Sequence, residues 1–263
     1  MGVSRGKPRT LPTSCAATSP DVTVNASEAE FFRQPAPGSG GVFGRRIGRK
    51  LRAGQSSLVA DLLPRLTIEL DRPVTRDRLF PGLDELRLEI GFGGGEHLAS
   101  RALAHPRSGF IGCEPFRNGV VKLLEQVAAQ DIGNIRVHAG DAALLIDTIA
   151  DGTISGVDIL YPDPWPKRRQ RKRRFISDET LARLARVIAP GAELRFATDI
   201  DDYAGWVLAR ILRSRHFAWD PRTADDWRLP WAGWPSTRYE AKALREGRRP
   251  AYLTFIRNEV QAP

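Results

Sequence analysis

Cysteine is scarce: Cys15 and Cys113 are the only two in 263 residues. Their separation excludes a disulfide scaffold, a CxxC redox pair and a cysteine-built zinc site, and a reducing, cytoplasmic compartment fits. The four histidines, at positions 97, 105, 138 and 216, lack the spacing of a metal site, so no metal is expected. No apolar run approaches the roughly 20 residues of a membrane-spanning helix, and the first twenty residues lack the apolar core of a secretory signal. The chain therefore reads as soluble. No internal repeat is evident. Hydrophobic residues nevertheless make up 41%, enough for a substantial core in one large domain or a domain with extensions.

The net charge of +9 is unevenly placed. Residues 1–56 carry nine Lys/Arg against three Asp/Glu, residues 167–174 carry seven cations in eight positions, and the remainder is mildly acidic. Two concentrated basic segments on an acidic body point to a polyanionic partner gripped at particular places, because cations gain affinity by displacing counterions from phosphates. A solvated basic face accounts equally well for either run taken alone.

Residues 1–42, rich in Ser, Pro, Gly, Thr and Ala, show no sustained apolar periodicity and are expected to form a flexible, disordered extension. Residues 43–82 are a basic lead-in containing Gly44–Arg52, which either lies on the body or reaches toward a nucleic acid. From residue 83 to 263, short apolar runs alternate with helical periodicity, the pattern of βαβ units around a mostly parallel sheet. Strands are predicted at Leu86–Ile90, Gly109–Cys113, Ile135–Ala139, Val157–Tyr161 and Glu193–Ala197. Helices are predicted at Glu96–Leu103, Asn118–Gln130, Ala142–Ile149, Asp178–Ile188 and Asp202–Ser214. The tail, with Pro221, Pro230 and Pro235, reads as a loop leading to a late strand at Tyr252–Ile256.

The first strand runs into Glu89-Ile90-Gly91-Phe92-Gly93-Gly94-Gly95-Glu96. Glycines there permit positive φ and close ligand approach at the carboxyl edge of a parallel sheet, although a tight structural turn needs the same residues. Glu96 stands where the dinucleotide fingerprint has its third glycine, and a carboxylate there disfavours a pyrophosphate. His97 is expected at the helix cap or in solvent. Acids recur at successive strand tips: Glu89, Glu114 and Asp141. Each alone fits strand-end capping. Together they suit an adenosine ligand with a positive centre and no phosphate, since carboxylates attract a sulfonium and an ammonium. The arrangement resembles the class I S-adenosylmethionine-dependent methyltransferases, with their Rossmann-like α/β fold.

The fourth strand runs into Tyr161-Pro162-Asp163-Pro164-Trp165-Pro166-Lys167. Prolines flanking Asp163 restrict the loop and lower the entropy lost in aiming its carboxylate, and Trp165 offers a flat surface for a base. The basic strip follows at once. An acid, an aromatic and a cationic strip meet the needs of an enzyme acting on a nucleobase within a polynucleotide.

This segment resembles the signature of the tRNA (guanine-N7-)-methyltransferases. Phe196-Ala197-Thr198-Asp199 is similar to that family's TD motif, and Thr237-Arg238-Tyr239-Glu240-Ala241-Lys242 to its late T-x-[FY]-E segment. The resemblance covers about residues 83–258, with Pro166 and Gly94 departing from the usual residues. It implies S-adenosylmethionine as methyl donor, bound by Glu89, Gly91, Gly93, Glu114, Asp141 and Asp163, with Asp163 also the catalytic position. It further implies tRNA as partner, with Lys167, Asp199, Thr237, Arg238, Tyr239 and Glu240 on the substrate and Arg169, Arg171, Lys172, Arg173 and Arg174 facing RNA. Monomer and homodimer both stay open. A methyltransferase acting on an exocyclic amino group, and a non-catalytic RNA-binding protein of the same fold, are the alternatives.

Overall fold

The computed structural model describes residues 1–2, 46 and 48–259; nearly all of the expected extension 1–42 lies outside them. Seven strands form one sheet: β1 (Glu85–Ile90), β2 (Ser108–Cys113), β3 (Ile135–His138), β4 (Ile154–Leu160), β5 (Ile188–Thr198), β6 (Phe217–Ala218) and β7 (Ala251–Arg257). Their order is β3-β2-β1-β4-β5-β7-β6. The first five are parallel, and β7 runs antiparallel to both β5 and β6. Strand order reverses between β1 and β4, the switch point at which a doubly wound sheet opens a crevice beyond its strand ends.

Helices cover the sheet because β2, buried at all six positions, and β4 present apolar side chains to both faces. The helices are α1 (Ala53–Asp61), α2 (Leu63–Leu66), α3 (Arg76–Leu79), α4 (Glu96–Ala104), α5 (Arg117–Gln130), α6 (Ala142–Thr148), α7 (Asp178–Val187), α8 (Asp201–Ile211), α9 (Asp225–Arg228) and α10 (Arg238–Arg245). Leu51, Val59, Leu63 and Leu66 of the lead-in share a core with Leu98, Val120 and Leu124. A parallel bridge from Thr67 to Val137 ties the same segment to β3.

Two expectations change. Ile188, expected to end a helix, instead begins β5 and pairs with Ile154 across a register irregularity. The tail expected as loop contains α10, whose N-cap Thr237 accepts a hydrogen bond from the Glu240 amide at 3.2 Å. Thr-x-x-Glu is a helix-start signal that the nearby prolines obscured.

Candidate active site

A cavity of about 760 Å³ opens at the carboxyl ends of β1, β2 and β4, within the roughly 300–1,000 Å³ usual for small-molecule sites. Its wall includes Gly91 and Gly93 after β1, Glu114 to Phe116 after β2, Gly140 to Ala143 after β3, and Tyr161 to Asp163 with Trp165 after β4. Lys172, Arg173, Arg174 and Tyr239 also line it.

On the β1–β3 side, Glu114 is buried and accepts the amide of Gly93 at 2.7 Å on Oε2 and that of Phe116 at 2.8 Å on Oε1. Burial pushes its carboxyl up, against those two hydrogen bonds, and the Asp163 charge adds to the rise. Each oxygen keeps a second lone pair for a ligand hydroxyl. Asp141 caps α6 by accepting the Ala143 amide at 2.9 Å and also lines the cavity. Gly93 has φ +59°, and a Cβ on Gly119 would stand 2.2 Å from its carbonyl oxygen. Gly119 therefore lets the first turn of α5 approach the glycine turn. Sequence reasoning missed it, though a glycine inside a helix costs roughly 1 kcal/mol relative to alanine and so signals a close approach.

Glu89 does not line the cavity. Its side chain leaves the opposite face of β1 and meets His97 Nδ1 at 2.7 Å, both residues being buried. His97 is thus neither a cap nor in solvent; its ring also lies 4.9 Å from that of Trp234. Burial pushes the Glu89 carboxyl up. Burial opposes a charged His97, but attraction to Glu89 and their hydrogen bond outweigh it and raise the imidazole. The pair is built to hold a proton between its two members.

At the β4 edge, Asp163 stands exposed at the cavity mouth, where partial desolvation by the walls raises its carboxyl. Residues Tyr161 and Trp165, on either side of Pro162–Pro164, both have positive φ, 51° and 41°. The basic strip forms a short 3₁₀ helix, Arg168–Arg173. Lys167, Arg169 and Lys172 are exposed, while the Arg173 guanidinium lies 5.1 Å from the centre of the Trp165 ring. Arg171 reaches Asp202 at 2.7 Å. Arg174, expected to face RNA, is turned inward: its side chain has no solvent exposure and pairs with Asp202. It is buried because two aromatic rings and two backbone carbonyls receive it.

The tail also departs from expectation. Glu240 is buried and accepts hydrogen bonds from Trp234 Nε1 at 2.8 Å and from the Tyr252 hydroxyl. Thr237 is occupied as the α10 cap, and Asp199 pairs with Arg248 Nε at 2.5 Å. These three polar groups are engaged within the protein, and none lines the cavity. Tyr239 and Arg238 do reach the site, lying over Gly93 and hydrogen-bonded to each other at 3.2 Å. Cys113 lines the cavity unforeseen, with burial pushing its thiol well up and so away from the reactive thiolate. Among the described residues no cluster could hold a metal ion, and no helix is long and apolar enough to cross a membrane.

A family model described as "Putative methyltransferase" matches residues 84–252. The tRNA (guanine-N(7)-)-methyltransferase of Rhodopseudomonas palustris strain BisB18 is 55% identical over 218 residues, 82% of this chain and 87% of that one. The protein of the same name from strain BisA53 is 51% identical over 246 residues, 91% of this chain and 98% of its own. Among solved structures, the 16S rRNA methyltransferase KamB superposes with a TM-score of 0.49 at 17% identity, over 70% of this chain and 95% of that chain. Sheet order, switch-point cavity and family match define a Rossmann-like methyltransferase. Within that class, the chain belongs to the tRNA (guanine-N(7)-)-methyltransferase family.

Proposed function

We propose that this protein uses S-adenosylmethionine to methylate N7 of a guanine in the variable loop of tRNA, giving 7-methylguanosine. The observation that carries the reading is one cavity whose lining combines Glu114 and Asp141 with Asp163, Trp165 and the cationic Lys172. The donor set fits the cofactor. Carboxylate oxygens with spare lone pairs suit ribose hydroxyls and an amino group, and the excess of acids suits a cation. The close approach of Gly119 to the turn leaves Gly91 and Gly93 as a wall without side chains. When bound, the cofactor supplies an electrophilic methyl group on a sulfonium.

Guanine N7 carries an in-plane lone pair and no hydrogen, so no residue has to remove a proton before methyl transfer. The demand on the protein is to align the base, a task for which well-oriented systems supply roughly 7–11 kcal/mol. Trp165 offers a stacking face, and Lys167, Arg169 and Lys172, all exposed, are available to the phosphates. Asp163, on the cavity wall, is assigned either to accept from the guanine N1–H and amino edge or to stabilise the positive charge that develops on the ring.

Incubating the protein with labelled methyl donor and unmodified tRNA, followed by nucleoside mapping, tests the reading; label on any position other than guanine N7 overturns it. Asp163→Asn is expected to lower kcat by about 10²–10³-fold with no fall in melting temperature, since it removes a carboxylate that the fold holds partly desolvated. Because that carboxyl is raised, the acid limb of wild-type kcat should begin above the ordinary aspartate range. A limb near neutrality that disappears in Asp163→Asn would make Asp163 a base and refute the orienting role.

A further inference from the structure

The Pro162–Pro166 turn that carries Asp163 has little means of holding itself. Pro162, Pro164 and Pro166 have no N–H to donate, and the residues on either side of Pro162–Pro164 sit in the left-handed region, Tyr161 at φ 51° and Trp165 at φ 41°. Bulky residues persist there only where surrounding contacts over-determine them. One fastening is the Tyr161 amide, which donates to the Ala197 carbonyl at 2.8 Å. Arg173 lies over the Trp165 ring, and a further fastening is Arg174, whose Nε donates to the Pro164 carbonyl at 2.8 Å, immediately before the second strained residue.

Arg174 is itself locked. Its guanidinium lies 4.8 Å from the Tyr203 ring centre and 5.0 Å from that of Trp206, donates to the Asp202 carbonyl at 3.3 Å and pairs with the Asp202 carboxylate. All of these receiving groups lie on α8, so Arg174 links the turn to that helix. Its planar fork reaches Pro164 and Asp202 at once, which a lysine's point charge does not do in the same geometry.

We infer that Arg174, although it belongs to the basic strip, is a positioning residue that braces the Pro162–Pro166 turn against α8 and so fixes the Asp163 carboxylate at the cavity mouth. The inference rests on the proposed methyl transfer, and its test separates the two. Wild-type protein must first yield 7-methylguanosine in tRNA; if it does not, the functional reading fails. With wild type active, Arg174→Lys is expected to lower kcat at saturating tRNA by about 10–100-fold, the scale of a 1 Å misplacement. The dissociation constants of tRNA and of S-adenosylmethionine should stay within about threefold, and the salt dependence of tRNA binding should stay unchanged. Asp202→Asn, which weakens the lock and leaves Arg174 in place, should move kcat in the same direction by about 3–10-fold; it decides the matter if Arg174→Lys does not fold. The inference is overturned if these variants keep wild-type kcat per folded molecule. It is equally overturned if Arg174→Lys loses tRNA affinity and salt dependence at unchanged saturating kcat, the signature of a phosphate contact.

Discussion

On the β1–β3 side of the cavity, Glu114 and Asp141 hold backbone amides and still present oxygen to the interior. On the side built from β5, α10 and the tail, Asp199, Thr237 and Glu240 come from motifs of equal prominence, yet their polar atoms meet Arg248, a backbone amide, Trp234 and Tyr252. The first set shapes a turn on the cavity wall. The second builds the wall from which Arg238 and Tyr239 lean over Gly93. A residue of a recognisable motif can thus line the cavity or be taken up by the protein's own polar groups, and its place on or off the cavity wall distinguishes the two.

Glu240→Ala offers the strongest way to break this comparison. It would leave the buried Tyr252 hydroxyl and the Trp234 indole N–H without their acceptor in a cluster where Trp231, Trp234 and Tyr252 rings meet at 5.3–5.9 Å. Each orphaned donor costs about 1–3 kcal/mol, so a loss of about 2–5 kcal/mol in denaturant unfolding is expected. Activity per folded molecule should fall far less than in Asp163→Asn. Undiminished stability with lost tRNA affinity would place Glu240 on the substrate after all.

His97→Phe sharpens the comparison on the other side, because Glu89 shares a strand and a turn with the cavity-lining Ile90, Gly91 and Gly93 but does not itself line the cavity. Both members of the pair are raised in the fold. From about the ordinary glutamate range upward, the native state therefore binds more protons than the unfolded state, and stability from the pair falls as pH rises. Asp158 reinforces the retained proton on His97 and Arg101 opposes it. His97→Phe removes the partner that holds the buried Glu89 carboxyl down, so the variant should unfold at lower denaturant than wild type at neutral pH, and its stability should still fall as pH rises because Glu89 stays buried. A variant as stable as wild type at neutral pH would contradict the pair. Cofactor affinity should change less than in Glu114→Gln, since Glu89 lies off the cavity wall.

β2 and β4 were legible as compact, largely apolar runs because both faces of the sheet are covered, and β1 (Glu85–Ile90) and β3 (Ile135–His138) as short alternating runs, each ended by glycine, proline or acid. Phe217–Ala218 is too short to leave any pattern. The acids at strand tips could be read for the same reason as the strands: topology gathers Glu114, Asp141 and Asp163 at one edge. Glu89 could not be told from them, since a one-residue difference along a strand turns a side chain to the other face. Nor does a run of seven like charges show which member turns inward. Arg174 is selected by Asp202, Tyr203 and Trp206, residues a single sequence gives no reason to set beside it.

Lys172 carries the smallest predicted effect and is the control for that internal selection. It lies two residues from Arg174 in the same strip, yet it is exposed, and it lines the cavity. If the strip is divided as the packing indicates, Lys172→Ala should lower the slope of log affinity for tRNA against log salt by roughly 0.7–0.9, the release expected for one phosphate. Binding should weaken by about 1 kcal/mol or less at moderate salt, the scale of a single exposed charge pair. Saturating kcat and unfolding midpoint should hold. The opposite allocation, a Lys172→Ala variant with intact salt dependence and impaired turnover, would mean that position within the strip, rather than burial, decides which cations serve the base and which the backbone of the RNA.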